Sequence, residues 1–405
     1  MRSRWSNGGW DKRQSMVQSE IMSGMNPPNL IAMLQQLIAT PSISSVNPRW
    51  DHENSTIINL LAQWLDGVGL SVEVLPVPEC PGKANLIARI GSGSEGLVLS
   101  GHSDTVPYDE GRWSHDPFLL TEEDGRLYGL GTADMKSFFA LVIEAIREMP
   151  LERLKQPLTI IATADEESTM SGARALAAMQ QRLGRYAVIG EPTGLRPIRM
   201  HKGIAMEAIQ LTGRSGHSSD PTNGVSALDG IYTVMGELMA WRKELERNHR
   251  NPMFKVESPT INLGHIQGGD NPNRICAFCE LHIDMRPLPG MCLEDMRSAL
   301  KKRLTAALRG SGLQLEVRPL FHGTPAMETP ADSAIVRYAE ELTGFDAEAV
   351  AFGTEGPYLT ELGMETIIMG PGSIRQAHQP DEYLELSHIK PAIELIQSLV
   401  RRFCY

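Results

Sequence analysis

The chain has 405 residues, of which 41% are hydrophobic and 21% are charged, and its formal net charge is -11. This length exceeds what one small hydrophobic core can serve, so two domains are expected. The composition is that of an ordinary globular protein. The negative charge argues against nucleic acid and against an anionic membrane surface as partners, because binding to phosphate groups needs clustered Lys and Arg.

Neither the N-terminal segment nor the cysteines indicate a membrane or secreted protein. No segment has the apolar length of a transmembrane helix. Residues 1–26 are polar and lack the apolar run of a signal peptide, and we interpret them as a loose N-terminal extension. Five cysteines at irregular spacing predict a reducing, cytoplasmic environment. Cys276 and Cys279 form a C-x-x-C, but no second pair lies at zinc-finger spacing, so a metal or redox role is disfavoured.

Helix and strand patterns alternate in the first half of the chain. Apolar residues recur at helical spacing over residues 30–39, 56–68 and 135–147. Short apolar runs of strand length cover residues 71–77, 85–90, 97–102, 159–164 and 186–191. This alternation predicts an α/β domain whose mixed sheet is covered by helices on both faces.

The pattern changes after about residue 196. Strand, helix, strand, strand, helix and strand follow one another over residues 206–216, 225–245, 259–269, 279–286, 293–308 and 313–318. This order is that of a ferredoxin-like α+β unit. A mixed pattern then returns and ends in a helix over residues 389–403. We therefore predict an α/β domain of residues 27–196 and 319–405, interrupted by an α+β insertion of residues 197–318.

A glycine-rich run, "GSGSEG" at residues 91–96, matches the G-x-G-x-x-G spacing of dinucleotide-binding loops. Such a loop must open a helix, whereas here a strand pattern follows at once. The run therefore predicts a hairpin turn. A nucleotide-dependent oxidoreductase is disfavoured on this ground.

Residues with metal-ligand chemistry follow the predicted strands. In open α/β sheets, binding sites form beyond the carboxyl ends of the strands. His102 and Asp104 lie two residues apart at such an end, so their side chains share a face. An imidazole that binds a metal commonly donates its other N–H to a carboxylate. We interpret His102 as a metal ligand and Asp104 as the residue that orients it, with a structural histidine as the alternative.

Five more residues of this kind occur near strand or helix ends: Asp134, Glu166, Glu167, Glu191 and His378. Each alone also fits an ordinary role, as a helix cap, a solvated carboxylate or an exposed histidine. Their occurrence in one predicted domain favours a site for two divalent cations. Carboxylates and imidazoles without thiolates suit Zn²⁺, Co²⁺ or Mn²⁺, and paired ions can share a bridging carboxylate and activate a water molecule.

Several motifs resemble one family of enzymes. "SGHSDTVP", "GLGTADMKS", "TADEES", "IGEPT" and "GSIRQAHQPDEY" occur in this order between Leu30 and the C-terminus. They resemble the dinuclear metallohydrolases, the family that includes acetylornithine deacetylase, succinyl-diaminopimelate desuccinylase, aminoacylase and glutamate carboxypeptidase. Within that family, "DTVPYDEGRWSHDPF", "RSGHSSDP" and "NRICAFCELHIDMRPLPGM" resemble most closely the deacetylases of acetylornithine.

The resemblance implies two metal sites that share Asp134. One site is completed by His102 and Glu191, and the other by Glu167 and His378. The native ions are implied to be Zn²⁺ or Co²⁺.

The resemblance also assigns a role to Glu166. Adjacent side chains on an extended segment point to opposite faces, so Glu167 can bind a metal while Glu166 acts as the general base. Glu166 would take the proton of the attacking water and pass it to the leaving amine.

The predicted insertion carries a second set of residues. The resemblance implies that His217 donates to the developing oxyanion, from the partner subunit of a homodimer, although a histidine in a surface loop is the alternative. Asn273 and Arg286 are candidates for binding the substrate carboxylate. Gly370 and Gly372 are candidates for bringing backbone N–H groups close to the substrate.

The implied reaction is hydrolysis of an N-acyl bond, that of N2-acetyl-L-ornithine, in arginine biosynthesis. Succinyl-diaminopimelate or a broader range of N-acyl amino acids is the alternative, because Ser103 and Ser137 depart from the usual family residues. The insertion would act as a lid and as the dimerisation domain. A binding protein without catalysis is disfavoured, because the base and all five ligands are present.

Overall fold

The structure, a computed structural model, describes residues 25–405. The predicted N-terminal extension, residues 1–26, therefore lies almost wholly outside the described residues. The described residues form nine α-helices: α1 (Leu30–Ile38), α2 (Ser55–Gly67), α3 (Lys136–Ile146), α4 (Ser171–Ala178), α5 (Ala227–Asn248), α6 (Leu293–Ala307), α7 (Ala334–Thr343), α8 (Gly356–Glu361) and α9 (Ile389–Cys404).

Sixteen strands lie in the same part of the chain. The first eight are β1 (Ser71–Pro76), β2 (Ala84–Ile90), β3 (Leu97–His102), β4 (Thr121–Glu123), β5 (Arg126–Tyr128), β6 (Leu158–Thr163), β7 (Tyr186–Pro192) and β8 (Ile198–His201). The other eight are β9 (Ala205–Thr212), β10 (Thr260–Gly268), β11 (Phe278–Arg286), β12 (Gln314–Pro319), β13 (Met327–Glu328), β14 (Glu348–Val350), β15 (Glu365–Gly370) and β16 (Tyr383–Glu385).

The larger sheet has nine strands and is mixed, as predicted. Its hydrogen-bonded order is β1-β2-β6-β3-β7-β15-β8-β13, and β14 pairs with β8. The four neighbours β6, β3, β7 and β15 run parallel to one another. Their carboxyl ends therefore meet at one edge of the sheet, which is where ligand sites form in such sheets.

The central strands of the larger sheet are buried on both faces. In β3, Leu97 and Leu99 pack with residues of α1, α2, α3, α7 and α9. Val98, which points the other way, packs with Leu176 of α4 and Leu359 of α8. Because successive side chains alternate between faces, a strand covered on both sides is read as a continuous apolar run. The sequence shows these runs.

The smaller sheet has four antiparallel strands in the order β10-β11-β9-β12. Its elements follow the chain order β9, α5, β10, β11, α6, β12, as predicted for a ferredoxin-like unit. In β11, Leu281, Ile283 and Met285 are buried in a core formed with α5 and α6, whereas the residues between them are half-buried. Only one face of this sheet is covered by helices.

Two details differ from the sequence prediction. The predicted hairpin at residues 91–96 is wrong, because β6 lies between β2 and β3, antiparallel to one and parallel to the other. Strand β8 follows the predicted boundary at residue 197, yet it pairs with β13, β14 and β15 in the larger sheet. The sheet thus extends to His201, and the domain limits remain a prediction. Helices α4, α7 and α8 were not predicted.

None of the helices within residues 25–405 is long and apolar enough to cross a membrane.

Candidate metal centre

The end of β3 delivers the first imidazole of the centre. His102 is the last residue of this buried strand. Its Nε2 lies 3.0 Å from Asp134 Oδ1 and 3.7 Å from Glu191 Oε1. Glu191 comes from the neighbouring parallel strand β7. Two of the predicted metal ligands thus surround one nitrogen of a third.

Asp134 connects the two predicted metal positions. Its Oδ1 faces His102 Nε2, and its Oδ2 lies 3.4 Å from His378 Nε2. The alternative role as a helix cap is not observed, because α3 begins at Lys136 after Met135 and Asp134 lies outside it. One carboxylate with its two oxygens turned toward two imidazoles has the arrangement of a bridging ligand.

His378 lies in the loop that follows β15. Its Nε2 is 2.9 Å from Glu167 Oε1. Unlike His102, its side chain is 52% exposed. The second half of the centre is therefore open to solvent on the side of this loop.

The turn after β6 carries the two neighbouring glutamates. Glu167 contacts His378, whereas Glu166 lies on the side of His102 and Glu191. The backbone N–H groups of Glu166 and Glu167 donate to the two carboxylate oxygens of Asp104, at 3.3 and 3.1 Å. The two glutamates lie in a turn and not on an extended segment, and a ligand atom of each lies within 4.8 Å of one from His102. They differ in their other partners, and a buried carboxylate holds the turn that presents them.

Asp104 contacts His102 differently from the prediction. The nearest acceptor to His102 Nδ1 is the backbone carbonyl of Asp104 at 3.0 Å, and Oδ1 of the same residue is 3.7 Å away. The carboxylate already accepts the two N–H groups of the glutamate turn. Asp104 thus orients the imidazole with its main chain and the turn with its side chain.

Burial and mutual repulsion govern the charges of the carboxylates. Burial raises the pKa of Glu166 and that of Glu191 well above their ordinary value, and neighbouring carboxylates add to the rise. Burial also raises the pKa of Glu167, and Asp134 adds to it. For Asp134 itself, burial acts in the same direction, but hydrogen bonds to two imidazoles outweigh it and lower its pKa.

The two imidazoles respond to the same negative charge. Burial lowers the pKa of His102, but the hydrogen bond to Asp134 and the charge of Glu191 outweigh it and raise this pKa well above its ordinary value. Hydrogen bonds to Asp134 and Glu167 raise the pKa of His378 to about 11, against the effect of burial. The rings lie in an excess of buried negative charge, which is an environment that suits divalent cations.

The donor set fits two divalent cations. Residues 25–405 contain two groups of three residues in which the ligand atoms of each group lie within 4.8 Å of one another. One group is His102, Asp134 and Glu167, and the other is His102, Glu166 and Glu191. These groups overlap the two implied sets without matching them. His378 belongs to neither, although its nitrogen is within 3.4 Å of Asp134 and Glu167. The individual distances therefore support both positions around Asp134.

The residues predicted in the smaller sheet and its loops lie apart from this cluster. His217 is exposed, and its Nδ1 contacts Ser219 Oγ at 2.8 Å. Asn273 is exposed in a neighbouring loop, where its carbonyl accepts from Ser218 N. Arg286 ends β11 and donates to Asp284. For the described residues, no hydrogen bond or ion pair joins His217, Asn273 or Arg286 to the metal cluster.

The two predicted glycines lie beside the centre, but their N–H groups have acceptors. The N–H of Gly370 donates to Thr193 Oγ1, and that of Gly372 donates to His388 Nδ1. Neither N–H is free in this structure to donate to a substrate. Gly372 has a φ of +84°, and a Cβ added there would lie 3.3 Å from Ala133 Cβ. It lets the loop after β15 approach the segment that carries Asp134.

Sequence reasoning missed the charged residues that support the ligands. Glu382 accepts backbone N–H groups around Asp134. Lys83 forms a buried ion pair with Asp165, the residue before Glu166. Glu382 lies in the motif "QPDEY", which could have drawn attention to it, whereas "PGKAN" around Lys83 carries no such signal.

The chain is similar to known proteins over nearly its whole length. It is 51% identical to the acetylornithine deacetylase of Edwardsiella ictaluri (strain 93-146) over 378 residues, 93% of this chain and 98% of that protein. It is 49% identical to that of Proteus mirabilis (strain HI4320), over 93% of this chain and 97% of the other.

Solved structures share the fold at low sequence identity. Aminopeptidase PepT from Bacillus cereus superposes with a TM-score of 0.73 at 19% identity, covering 93% of this chain and 98% of that chain. A metallo-carboxypeptidase from Sulfolobus solfataricus has a TM-score of 0.72 at 17% identity, covering 93% and 99%. A family sequence model matches residues 98–402, and the chain therefore belongs to the peptidase family M20/M25/M40.

Proposed function

We propose that this protein is a metal-dependent amidohydrolase that removes the acetyl group from N2-acetyl-L-ornithine, giving L-ornithine and acetate. The observation that carries the proposal is the cluster at the strand ends, in which the buried carboxylate of Asp134 faces two imidazoles. The substrate is supported by relatives about half identical to this chain that are named acetylornithine deacetylase.

The metal-binding residues would be those that surround Asp134. His102 and Glu191 would hold one ion with Oδ1 of Asp134, and Glu167 and His378 would hold the other with Oδ2. Zn²⁺ or Co²⁺ suits this set of imidazole and carboxylate donors. When bound, the two ions would polarise the amide carbonyl and make a water molecule acidic enough to attack it.

Glu166 would handle the proton. Its backbone is fixed by Asp104, and its carboxylate faces the side of His102 and Glu191. A water O–H bond breaks toward Glu166 as the water oxygen bonds to the acyl carbon. The same proton then passes to the amine nitrogen as the C–N bond breaks. The hydroxyl group of the water thus ends in acetate, and its proton ends on the amine of ornithine.

The smaller sheet would supply the remaining contacts, as a lid and dimerisation domain of residues 197–318. His217 would donate to the developing oxyanion from the partner subunit, which agrees with its exposure and its lack of a contact to the cluster of its own chain in the described part of the structure. Asn273 and Arg286 would bind the substrate carboxylate.

An exposed apolar stripe supports a homodimer. On α5, Leu228, Tyr232 and Met239 recur on the face opposite the core, and Tyr232 is 81% exposed. Ile266 and Phe278 add exposed apolar surface on the same sheet. Exposed apolar residues of this kind favour association with a second copy. The five free cysteines agree with a cytoplasmic location.

A substrate panel tests the proposed activity. Release of free amine would be measured with N2-acetyl-L-ornithine, N-succinyl-LL-diaminopimelate and N-acetyl-L-methionine at equal concentrations. We expect the highest kcat/KM for acetylornithine. A higher value for the succinyl substrate or for acetylmethionine would overturn the substrate while keeping the amidohydrolase. No amine release from any of the three, with metal supplied, would overturn the activity.

A further inference from the structure

We infer that Glu382 is a positioning residue that ties the loop of His378 to the segment of Asp134 and so sets the metal position that these two residues share. This inference rests on the proposed metal centre. It adds a residue that contacts neither metal nor substrate.

The side chain of Glu382 accepts three backbone N–H groups from one short segment. Oε1 accepts from Ala133 N at 2.8 Å and from Asp134 N at 2.9 Å. Oε2 accepts from Gly131 N at 3.1 Å. The side chain is buried, where a hydrogen bond is stronger than it is in water. The backbone at Asp134 is therefore fixed from one side by this residue.

The main chain of Glu382 strengthens the same connection. Its carbonyl accepts from Gly129 N at 3.0 Å, and β16, which begins at the next residue, pairs with β5 just before this segment. The loop of His378 is thus fastened to residues 129–134 through both side chain and main chain.

The neighbouring Asp381 holds the loop on its other side. Its carboxylate accepts from Ser114 N at 2.8 Å and from His115 N at 3.1 Å. Both His378 and Asp381 have positive φ values, +59° and +56°, which cost energy for residues other than glycine. A loop in this conformation needs fixed contacts, and Glu382 provides those that face Asp134.

The geometry makes the expected effect selective. Asp134 Oδ2 and His378 Nε2 must stay close for one ion, and both lie on segments that Glu382 joins. His102 and Glu191 lie on β3 and β7, and the hydrogen bonds between these paired strands fix their positions. Loss of the Glu382 contacts should therefore disturb two ligands of the ion at His378, His378 and Asp134, but only the shared Asp134 at the other position, so the ion at His378 should be weakened more.

The variant Glu382→Gln tests this directly. The amide can keep one acceptor oxygen, but its NH₂ group would meet a backbone N–H, so the donors of the segment can no longer all be satisfied. Zinc binding to metal-stripped protein would be followed by titration calorimetry. We expect two ions for the wild type. For the variant, we expect one ion to be weakened by about 10–100-fold, the usual effect of losing such a supporting contact, and the other ion to be weakened less.

The control variant is Glu207→Gln, which alters a buried glutamate of the smaller sheet, paired with Arg297. It should bind two ions as the wild type does. Two ions with unchanged affinities in Glu382→Gln would overturn the inference, as would equal weakening of both ions, which a general structural role predicts. A wild type that binds fewer than two ions would overturn the proposed centre and this inference with it.

A second variant covers the case in which Glu382→Gln does not fold. Glu382→Asp keeps the carboxylate but is shorter by one methylene group, so the three acceptor contacts lengthen without an opposing donor. We expect unequal weakening of the two ions, smaller than for the glutamine variant. Unchanged binding of both ions to folded Glu382→Asp would contradict the inference.

Discussion

The two sheets of this protein bury very different residues. Strands β3 and β6 of the larger sheet are buried along their whole length. A cluster of largely buried carboxylates, with one buried and one exposed imidazole, lies where these strands end. In the smaller sheet, burial alternates along β11, and the core is apolar. Among the described residues of the smaller sheet, the buried carboxylate is that of Glu207, which is paired with Arg297.

This difference assigns the chemistry to the larger sheet, whereas the core of the smaller sheet contributes to stability. Buried carboxylates that lack counter-charge cost free energy, so a fold retains them where a function needs them. The smaller sheet follows the ordinary pattern of one apolar and one polar face. The predictions below therefore expect metal binding and proton transfer to depend on the larger sheet, and changes in the core of the smaller sheet to affect stability.

The largest effect is expected for Glu166→Gln. The amide keeps the size of the side chain but cannot accept a proton, so kcat for acetylornithine should fall on the order of 10²–10⁴-fold. Metal content, measured by mass spectrometry of the purified protein, should stay at the wild-type level. Glu207→Gln is the matched control from the smaller sheet and should retain kcat. Near wild-type turnover in Glu166→Gln with metals bound would rule out its role as the base.

The next largest effect is expected when a buried leucine of either core is replaced with Ala. Leu300 of α6 and Leu99 of β3 are both fully buried, and replacing either with Ala should lower the free energy of unfolding by about 2–5 kcal/mol. Urea denaturation measures this change. Leu300→Ala should still bind two zinc ions with wild-type affinity. If it lost either ion, the independence of the smaller core from the centre would be wrong.

Removal of metal should act mainly on the larger sheet. Ions that bind only the folded state stabilise it by about 2.7 kcal/mol when present at 100 times their dissociation constant. Chelation should therefore lower the melting temperature. Amide hydrogen exchange should lose protection in β3, β6 and β7 but not in β9 and β11. Equal loss of protection in both sheets would contradict the claim that the metals stabilise mainly the larger sheet.

The smallest effect at neutral pH concerns a buried histidine near the junction of the sheets. Burial lowers the pKa of His201 to about 4, against a backbone hydrogen bond to Lys202 that acts to raise it. The unfolded chain binds a proton below about pH 6.5 while the folded chain does not. Stability from this residue is therefore present above pH 6.5 and is lost as the pH falls toward 4, by at most about 1.4 kcal/mol per pH unit.

His201→Asn tests this pH dependence in metal-free protein. Asn can donate to the same carbonyl without titrating, so the slope of unfolding free energy between pH 4 and 6.5 should decrease. His249→Asn, which changes an exposed histidine, should leave the slope as it is. An unchanged slope in His201→Asn would show that the buried ring does not control it.

Much of the fold could be predicted because the burial of a strand or helix determines the spacing of apolar residues in its sequence. The apolar runs at β3, β6 and β7 reveal strands covered on both faces, and the alternation in β11 reveals a strand covered on one. The order of the strands in space was less accessible. That β6 lies between β2 and β3 depends on contacts between distant segments. The glycine run at residues 91–96 therefore predicts a hairpin that the structure does not contain.

The candidate site was predictable where a residue ends a strand. His102, Glu166 and Glu191 could be picked out because chemistry-bearing side chains follow apolar runs. The supporting contacts could not be predicted. Lys83 has no recognisable pattern around it, and the position of Glu382 beneath Asp134 depends on how two loops distant in sequence meet.

The most direct test of the dinuclear centre is a zinc titration of stripped enzyme that follows activity and bound metal together. Protein treated with a chelator would receive Zn²⁺ in steps, with hydrolysis of N2-acetyl-L-ornithine and metal per chain measured at each step. We expect no turnover without metal and full turnover as two ions per chain bind. Full turnover of protein shown to be free of metal would contradict the account.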